Sequence, residues 1–207
     1  MTREKTYPTL WLIIFFAVFI WSVIKPHDYF TWLLEVFPAM IAFVILVSTY
    51  RAFQFTHLVY WLILVHAVIL MIGGHYTYAE VPLFTWIKDI FDLSRNNYDK
   101  VGHLAQGFVP AMVAREILIR KSPLKPGKWL FFIVVCICLA ISALYELIEW
   151  WVAVGTGEAA ESFLGTQGDI WDSQSDMFLA LIGAISALVL LGKYHDTLLI
   201  KLPAREK

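Results

Sequence analysis

Long apolar runs separated by short polar stretches make up most of this chain. A transmembrane helix needs about 20 predominantly apolar residues, with a range of roughly 17–25. Several stretches approach that length when their polar ends are included. The pattern predicts an all-α, polytopic membrane helical bundle that forms one integral membrane domain over residues 1–207. The predicted spans are 10–24, 32–50, 58–74, 101–119, 129–151 and 174–192.

The connection between the third and fourth predicted spans has a different pattern. Over residues 82–95, the apolar side chains recur with helical spacing and polar side chains occupy the other face. The apolar face carries Leu83, Trp86, Ile87, Ile90 and Phe91. A segment this short and polar does not cross a membrane, whereas an amphipathic helix of this kind is typical of a membrane interface. We therefore predict a short interfacial helix here.

Composition narrows the class of protein further. Apolar residues make up 59% of the chain and the mean hydropathy is +0.68, above the roughly 45–50% apolar content of soluble domains. Only 16% of the residues are charged, and the net charge is -1. No basic run is long enough to form a nucleic-acid-binding patch. Membrane lipid is thus a predicted partner, and nucleic acid is not.

The distribution of Lys and Arg predicts the orientation of the bundle. Arg51 and the basic cluster between Arg120 and Lys128 would lie on the same side as both termini, whereas 152–172 contains no basic residue. Cytoplasmic loops of membrane proteins carry an excess of Lys and Arg. We therefore predict a multi-pass protein with both termini in the cytoplasm. The side chains of Arg115 and Arg120 are expected to reach towards the cytoplasmic headgroups.

Ionisable side chains interrupt three of the predicted spans at a similar depth. Such groups are costly in a membrane and mark functional sites by default. With the orientation above, all of them lie near the outer leaflet. They are Asp99 just before the fourth span and His103 within it, Glu146 and Glu149 in the fifth, and Asp172 just before the sixth span with Asp176 within it.

This combination of side chains suits a divalent cation. Oxygen-rich ligand sets favour Mg²⁺, Mn²⁺ or Ca²⁺, and an added imidazole shifts the preference towards Mn²⁺, Fe²⁺ or Zn²⁺. The predicted metal ligands are His103, Glu149, Asp172 and Asp176. Glu146 is the predicted catalytic residue, as a general base or as a partner of the ligands. The predicted outer partners of the site are Asp99, His75 and Asp169.

Two functions of different kinds fit these residues. In the first, the site holds a divalent cation (Mn²⁺, Zn²⁺, Mg²⁺ or Ca²⁺) and a lipid-linked or amphipathic substrate at the outer leaflet. In the second, the bundle is a non-catalytic structural or transport protein, and the same residues form an interhelical polar network. The spacings Asp99–His103 and Asp172–Asp176 are common helical pairs, so both alternatives remain open at this stage, as does enzymatic activity.

Three segments carry a resemblance to a known family. They are NNYDKVGHLAQGF at 96–108, ALYELIEW at 143–150 and GTQGDIWDSQSDMFLALIGA at 165–184. On these segments the chain resembles the uncharacterised bacterial inner-membrane proteins typified by YjdF, over essentially its whole length. The resemblance implies a multi-pass protein of the bacterial inner membrane without an established activity.

A more distant resemblance is to the VanZ-like family, which is associated with glycopeptide resistance. That family has an Asp-Lys-x-x-His element and a following Glu, which Asp99 to His103 and Glu146 match. Its third element, Asp-x3-Asn-x2-Gly, is matched at Asp176 and Gly183, but Ala180 replaces the Asn. Neither resemblance implies assigned catalytic residues.

Overall fold

A computed structural model describes residues 6–157, 161–164 and 166–202, and these residues form only helices, turns and loops. The helices are α1 (Thr6–Val23), α2 (Tyr29–Thr49), α3 (His57–Tyr76), α4 (Pro82–Ile90), α5 (Tyr98–Lys121), α6 (Lys128–Thr156), α7 (Glu161–Leu164) and α8 (Asp172–Ile200). The predicted all-α class is confirmed.

Within the described residues, α2, α3, α6 and α8 are long and apolar enough to cross a membrane. The protein is thus a helical membrane bundle. The apolar part of α1, Pro8–Val23, is shorter than these four. Helix α5 has 24 residues, which is long enough, but it carries more polar side chains. Because α5 packs against α3, α6 and α8, many of these polar groups face protein and not lipid. The exact number of spans stays a prediction.

The fifth and sixth predicted spans end earlier than the helices that contain them. The predicted ends are 151 and 192, whereas α6 continues to Thr156 and α8 to Ile200. Hydropathy detects only the apolar part of a helix, whereas backbone hydrogen bonding continues through polar residues. The extension of α8 has consequences for the end of the bundle opposite to His103.

The bundle consists of two groups of helices. Helix α3 contacts α1 and α2 on one side and α5 on the other, while α5 also packs against α6 and most extensively against α8. One apolar core lies among α1, α2 and α3, and another lies among α3, α5, α6 and α8. The predicted polar residues of the fourth to sixth spans all belong to the second group.

Two glycines allow the backbones of α5 and α8 to touch. A Cβ atom at Gly107 would collide with the carbonyl oxygen of Ala180, and one at Gly183 would collide with the carbonyl oxygen of Leu104. Small residues at helix interfaces permit such close approach in membrane proteins. This contact brings the first turns of α5 and α8 side by side.

Short elements outside the long helices follow local sequence signals. Helix α4 begins with Pro82, the favoured position for proline, and ends at Ile90, earlier than the predicted 95. Its Trp86 side chain is exposed, as an interfacial helix requires. Before α2, the Asp28 carboxylate accepts a 2.6 Å hydrogen bond from the Thr31 amide. This cap lowers the pKa of Asp28 because it stabilises the ionised form.

Candidate functional site: a histidine–carboxylate cluster beside an apolar cavity

His103 is at the centre of the polar cluster. Its Nε2 atom lies 3.2 Å from Asp99 Oδ1 and 3.7 Å from Asp176 Oδ2. Asp99 is one turn earlier on α5, and Asp176 reaches across from the start of α8. All three side chains are buried. One ligand atom from each lies within 4.8 Å of the other two, so the three form a compact set of donors.

The spacing of these donors suits a small divalent cation. Zn²⁺ ligands lie about 2.0–2.2 Å from the ion, so neighbouring donor atoms are separated by about 3–3.5 Å. The separations of 3.2 and 3.7 Å from His103 Nε2 are close to that range. One imidazole with two carboxylates favours Mn²⁺, Fe²⁺ or Zn²⁺ over Ca²⁺.

The other ring nitrogen of His103 has its own partners. Nδ1 lies 3.0 Å from Gln106 Oε1 and 3.8 Å from Glu146 Oε1. When Nδ1–H donates to the amide oxygen of Gln106, Nε2 keeps a lone pair that can bind a cation shared with Asp99 and Asp176. Metal-binding histidines are commonly oriented by such a hydrogen bond at the second nitrogen. A hydrogen bond from Nδ1–H to Gln106 would favour the tautomer that a metal ligand needs.

Helix α6 contributes two more carboxylates on the Nδ1 side. His103, Glu146 and Glu149 form a second set of three donors within 4.8 Å of one another. Glu146 is buried, and its Oε1 atom has no hydrogen-bond partner among the described residues. An oxygen of this kind is available to accept a proton or to contact a ligand. Glu149 is half-buried and also lines the adjacent cavity.

A layer of ion pairs covers the end of the cluster at which α5 and α8 begin. Lys100 Nζ lies 2.8 Å from Asp172 Oδ1 and 2.8 Å from Asp176 Oδ1. Arg95 Nη1 lies 2.5 Å from the same oxygen of Asp172. Lys100 thus holds one oxygen of Asp176 and leaves the other, Oδ2, directed towards His103.

The structure separates the predicted ligands into different places. His103 and Asp176 share the first set of donors, and Glu149 joins His103 in the second. Asp172 lies in the ion-pair layer, in contact with Arg95 and Lys100. Asp99, predicted as an outer partner, instead contacts the imidazole directly.

The other two predicted outer partners make different contacts. His75 Nδ1 lies 3.0 Å from the carbonyl oxygen of Ser22, and its ring packs against Trp21. Asp169 lies 3.5 Å from Arg95 Nη1, at the edge of the ion-pair layer. These contacts tie α3 to α1 and the connection before α8 to Arg95, and neither residue belongs to a set of donors with His103.

An apolar cavity of about 340 Å³ begins beside His103 and lies among α2, α3, α5 and α6. Along α5 its lining extends from Asp99 to Val113, about 21 Å at 1.5 Å per residue. This exceeds the roughly 15 Å half-thickness of a bilayer's hydrocarbon core. Ile45 and Ile141 line it and are also exposed on the surface, so the cavity opens between α2 and α6 towards lipid. It is long enough for an extended apolar chain.

Glu35 is a site residue that the sequence analysis missed. It lies on α2, is buried, and lines the cavity near Tyr78 and Tyr145, which face its carboxyl group. The signal was present, because Glu35 is the only charged residue in the predicted second span and intramembrane acids are functional candidates. Glu35 and His103 line the same cavity because α2 packs against α3, and the sequence of neither helix alone shows this packing.

Comparison with known proteins identifies the family. A family model described as a predicted membrane protein, DUF2238, matches residues 7–197. The chain belongs to the DUF2238 family. The inner membrane protein YjdF of Escherichia coli (strain K12) is 52% identical over 178 residues, covering 86% of this chain and 85% of the relative. No solved structure matches the chain. The resemblance to the family typified by YjdF is confirmed, and it supports a location in the bacterial inner membrane.

This DUF2238 protein has a second polar cluster at the end opposite to His103. The Glu116 carboxylate accepts hydrogen bonds from the amide and the hydroxyl of Thr56, at 2.9 and 2.7 Å, and lies 2.9 Å from His195 Nε2. Arg115 donates to His195 Nδ1 and to Asp196, at 2.9 and 2.6 Å. The cluster joins α5 and α8 to the start of α3.

The prediction that Arg115 reaches towards headgroups is therefore wrong. Its side chain is buried and its guanidinium contacts His195 and Asp196. These partners exist because α8 continues two turns beyond the predicted end of the sixth span, at 192. Arg120 is half-buried and donates both to the Gln54 carbonyl near the surface and to the Glu116 carboxylate, each at 2.6 Å. The buried groups are paired with one another, which indicates a structural role in holding the three helices together.

Proposed function

We propose that this DUF2238 protein binds a divalent cation at Asp99, His103 and Asp176 and acts on a lipid-linked or amphipathic substrate. A single observation carries the proposal. The imidazole that belongs to both sets of possible metal ligands also lines the long apolar cavity. A substrate chain in that cavity would place its polar group next to the ligand set. Ligand sites of membrane bundles are commonly built between facing helices in this way.

The proposal includes a membrane topology. Helices α1, α2, α3, α5, α6 and α8 would cross the membrane, with both termini in the cytoplasm and the His103 cluster near the outer leaflet. Two reciprocal hydrogen bonds between Asn96 and Gln167, at 3.0 and 2.9 Å, support a common side for the connections before α5 and α8. The excess of Lys and Arg on the opposite side supports the orientation.

Each residue of the cluster has a role in this proposal. Asp99, His103 and Asp176 hold the cation. Glu149 belongs to the second set of donors, on the other side of the His103 imidazole. Gln106 and Lys100 position His103 and Asp176 through the contacts described above. Glu146, with its unpaired oxygen, accepts a proton from the reacting group. The bound cation would act as a Lewis acid on a phosphoryl or carbonyl oxygen of the substrate.

The ion-pair layer favours a second candidate, a non-catalytic bundle. Lys100 and Arg95 already pair with Asp172, and Lys100 also pairs with Asp176. These contacts connect α5 to α8 without any ion. In this alternative, the same polar groups serve only to set the arrangement of the helices. The two candidates differ in whether the folded protein retains a cation.

Metal analysis of detergent-purified protein tests the proposal. We expect the wild-type protein, equilibrated with Mn²⁺, Zn²⁺, Mg²⁺ and Ca²⁺ and then desalted, to retain about one cation per chain, as a structured ligand set should. His103→Ala should reduce retention by at least about tenfold. The matched control is His27→Ala, because His27 is exposed and pairs with Glu80 away from the cluster. Equal, negligible retention by the wild type and His103→Ala would leave the structural bundle as the better account.

A further inference from the structure

A second cavity, of about 430 Å³, lies at the end of the bundle opposite to the His103 cluster. It is enclosed by the first turns of α1, the last turns of α2 and the first turns of α3. Its volume falls within the roughly 300–1,000 Å³ of small-molecule sites. None of the catalytic or metal-binding residues proposed above lines it, so it requires a separate explanation.

The polarity of this cavity changes along the helix axes. On α2 the lining runs from Phe43 to Ser48, about 8 Å at 1.5 Å per residue, and Arg51 follows in the turn after the helix. On α3 the deeper lining residue is Trp61 and the outermost is His57. The apolar groups therefore lie towards the membrane centre, and the basic groups lie at the rim. This order matches an amphiphile that enters from the adjacent leaflet.

Interactions between the helices hold the apolar wall in place. Trp11 is buried, and its indole Nε1–H donates a 2.8 Å hydrogen bond to the carbonyl oxygen of Tyr60. The Trp11 ring also stacks near the Phe43 ring, with 6.3 Å between their centroids. These contacts connect α1 to both α2 and α3. The cavity is therefore formed before any ligand binds, which lowers the entropic cost of binding.

The described part of the lining differs in charge from the first cavity. None of the described residues that line the cavity is acidic, and Arg51 is its basic residue, with His57 as a further nitrogen donor. The first cavity is the opposite, since it includes Glu35, Asp99 and Glu149. Basic pockets between membrane helices at the cytoplasmic side bind anionic lipid headgroups. Charge and depth together favour an anionic lipid here.

We propose that this cavity binds one anionic phospholipid from the leaflet opposite to the His103 cluster. The acyl portion packs against Trp11, Phe43 and Trp61, and the phosphate faces Arg51 and His57. This site does not depend on the proposed cation site, because the two share no polar residue. Its role is that of a specific lipid-binding site on the face that carries most of the chain's basic residues.

Native mass spectrometry of the full-length protein in neutral detergent tests the proposal, with phosphatidylglycerol, phosphatidylcholine and inorganic phosphate as probes. We expect phosphatidylglycerol to bind at least about fivefold more tightly than phosphatidylcholine, the scale of one basic group near a headgroup. Arg51→Gln should weaken phosphatidylglycerol binding about fivefold. Val47→Trp should abolish it, because Val47 lines the cavity and the indole would fill it.

Matched controls make the outcome decisive. Val44→Trp adds the same indole at an exposed position of α2 that does not line the cavity, and Lys125→Gln removes an exposed charge from the same end. Both should bind phosphatidylglycerol as the wild type does. Equal binding to Val47→Trp and Val44→Trp, equal affinity for the two lipids, or displacement of the lipid by inorganic phosphate would each overturn the proposal.

Discussion

His103 faces acceptors at both of its ring nitrogens. Nε2 is directed towards Asp99 and Asp176, while Nδ1 is directed towards Gln106 and Glu146. A histidine used only for packing would need one partner. Here the amide of Gln106 satisfies Nδ1, and two carboxylates remain for Nε2 and a shared ion. The chemistry of the cluster therefore depends on the charge of those carboxylates.

At the scale of single residues, the Asp176→Asn variant distinguishes a cation site from a neutral hydrogen-bond network. The substitution keeps the size of the side chain but removes the charge that would ligate an ion. In chelator, we expect stability to change little, on the scale of about 0.6 kcal/mol for an interhelical hydrogen bond in a membrane. With added Mn²⁺ or Zn²⁺, the wild type should gain about 2.7 kcal/mol at a cation concentration 100 times Kd, whereas Asp176→Asn should gain much less.

Thermal unfolding in detergent measures both effects. The comparison uses wild type and Asp176→Asn, each with chelator and with Mn²⁺, Zn²⁺, Mg²⁺ or Ca²⁺. A cation that binds only the folded state raises the unfolding temperature. The same unfolding temperature for both proteins under every condition would argue against ligation by Asp176.

Among the helices, the α5–α8 pair determines the geometry of the site. His103 is on α5 and Asp176 is on α8, and their separation depends on the backbone contact at Gly107 and Gly183. Ala180, fully buried, supplies the backbone carbonyl that Gly107 approaches. A larger side chain at Gly107 could not be accommodated by a rotamer change, because the obstacle is backbone. The two helices would have to move apart.

We therefore expect Gly107→Ala to lower the free energy of unfolding by about 1–3 kcal/mol, as overpacking of a tight core does. The same change should weaken cation binding, because it increases the distance from His103 to Asp176. Gly192→Ala is the control, since a Cβ there would meet no atom within 4 Å. On α8 it should be neutral or stabilising by up to about 1 kcal/mol.

Unfolding and cation titrations of both glycine variants provide the test. If Gly107→Ala were as stable as Gly192→Ala and bound cations as tightly as the wild type, the close contact between α5 and α8 would not control the site.

For the whole molecule, the contacts between connections constrain the topology. Arg95 donates to the carbonyl oxygen of Thr166, and Asn96 and Gln167 exchange two hydrogen bonds. The segment before α5 and the segment before α8 therefore lie at the same end of the bundle. Glu116, His195 and Thr56 join α5, α8 and α3 at the opposite end. The bundle thus has a polar cluster at each end and apolar cores between them.

We expect reporter fusions after Asp92 and after Gln167 to report the outer side. Fusions after Lys125 and at the C-terminus should report the cytoplasm, because the basic residues favour that orientation. Paired alkaline phosphatase and fluorescent protein fusions measure both sides independently. Opposite locations for Asp92 and Gln167 would contradict the shared cluster, and a cytoplasmic Asp92 would reverse the proposed orientation.

Long apolar runs, which are a property of each segment alone, predicted much of the fold. Each predicted span overlaps one of the described helices, and a short helix begins at Pro82 as predicted, while the number of helices that cross the membrane stays a prediction. Burial in a membrane requires long uninterrupted helices, so the positions of the helices can be predicted from the sequence of each segment alone. The depth of His103, Glu146 and Asp176 could also be derived, because helix rise relates sequence position to depth. That reasoning placed these three residues in one cluster.

Only the tertiary structure decided which polar groups meet. Asp172 pairs with Arg95 and Lys100, while Asp99 contacts His103, because the backbone contact of α5 and α8 sets the rotation of each helix. Residues at the same depth in the membrane can face different neighbours. The depth of a residue follows from its position along a helix, whereas the rotation of that helix about its axis cannot be read from a single sequence. The same reason explains the two residues that sequence analysis misjudged: Glu35 meets the cavity through packing of α2 against α3, and Arg115 is buried through its contacts with α8.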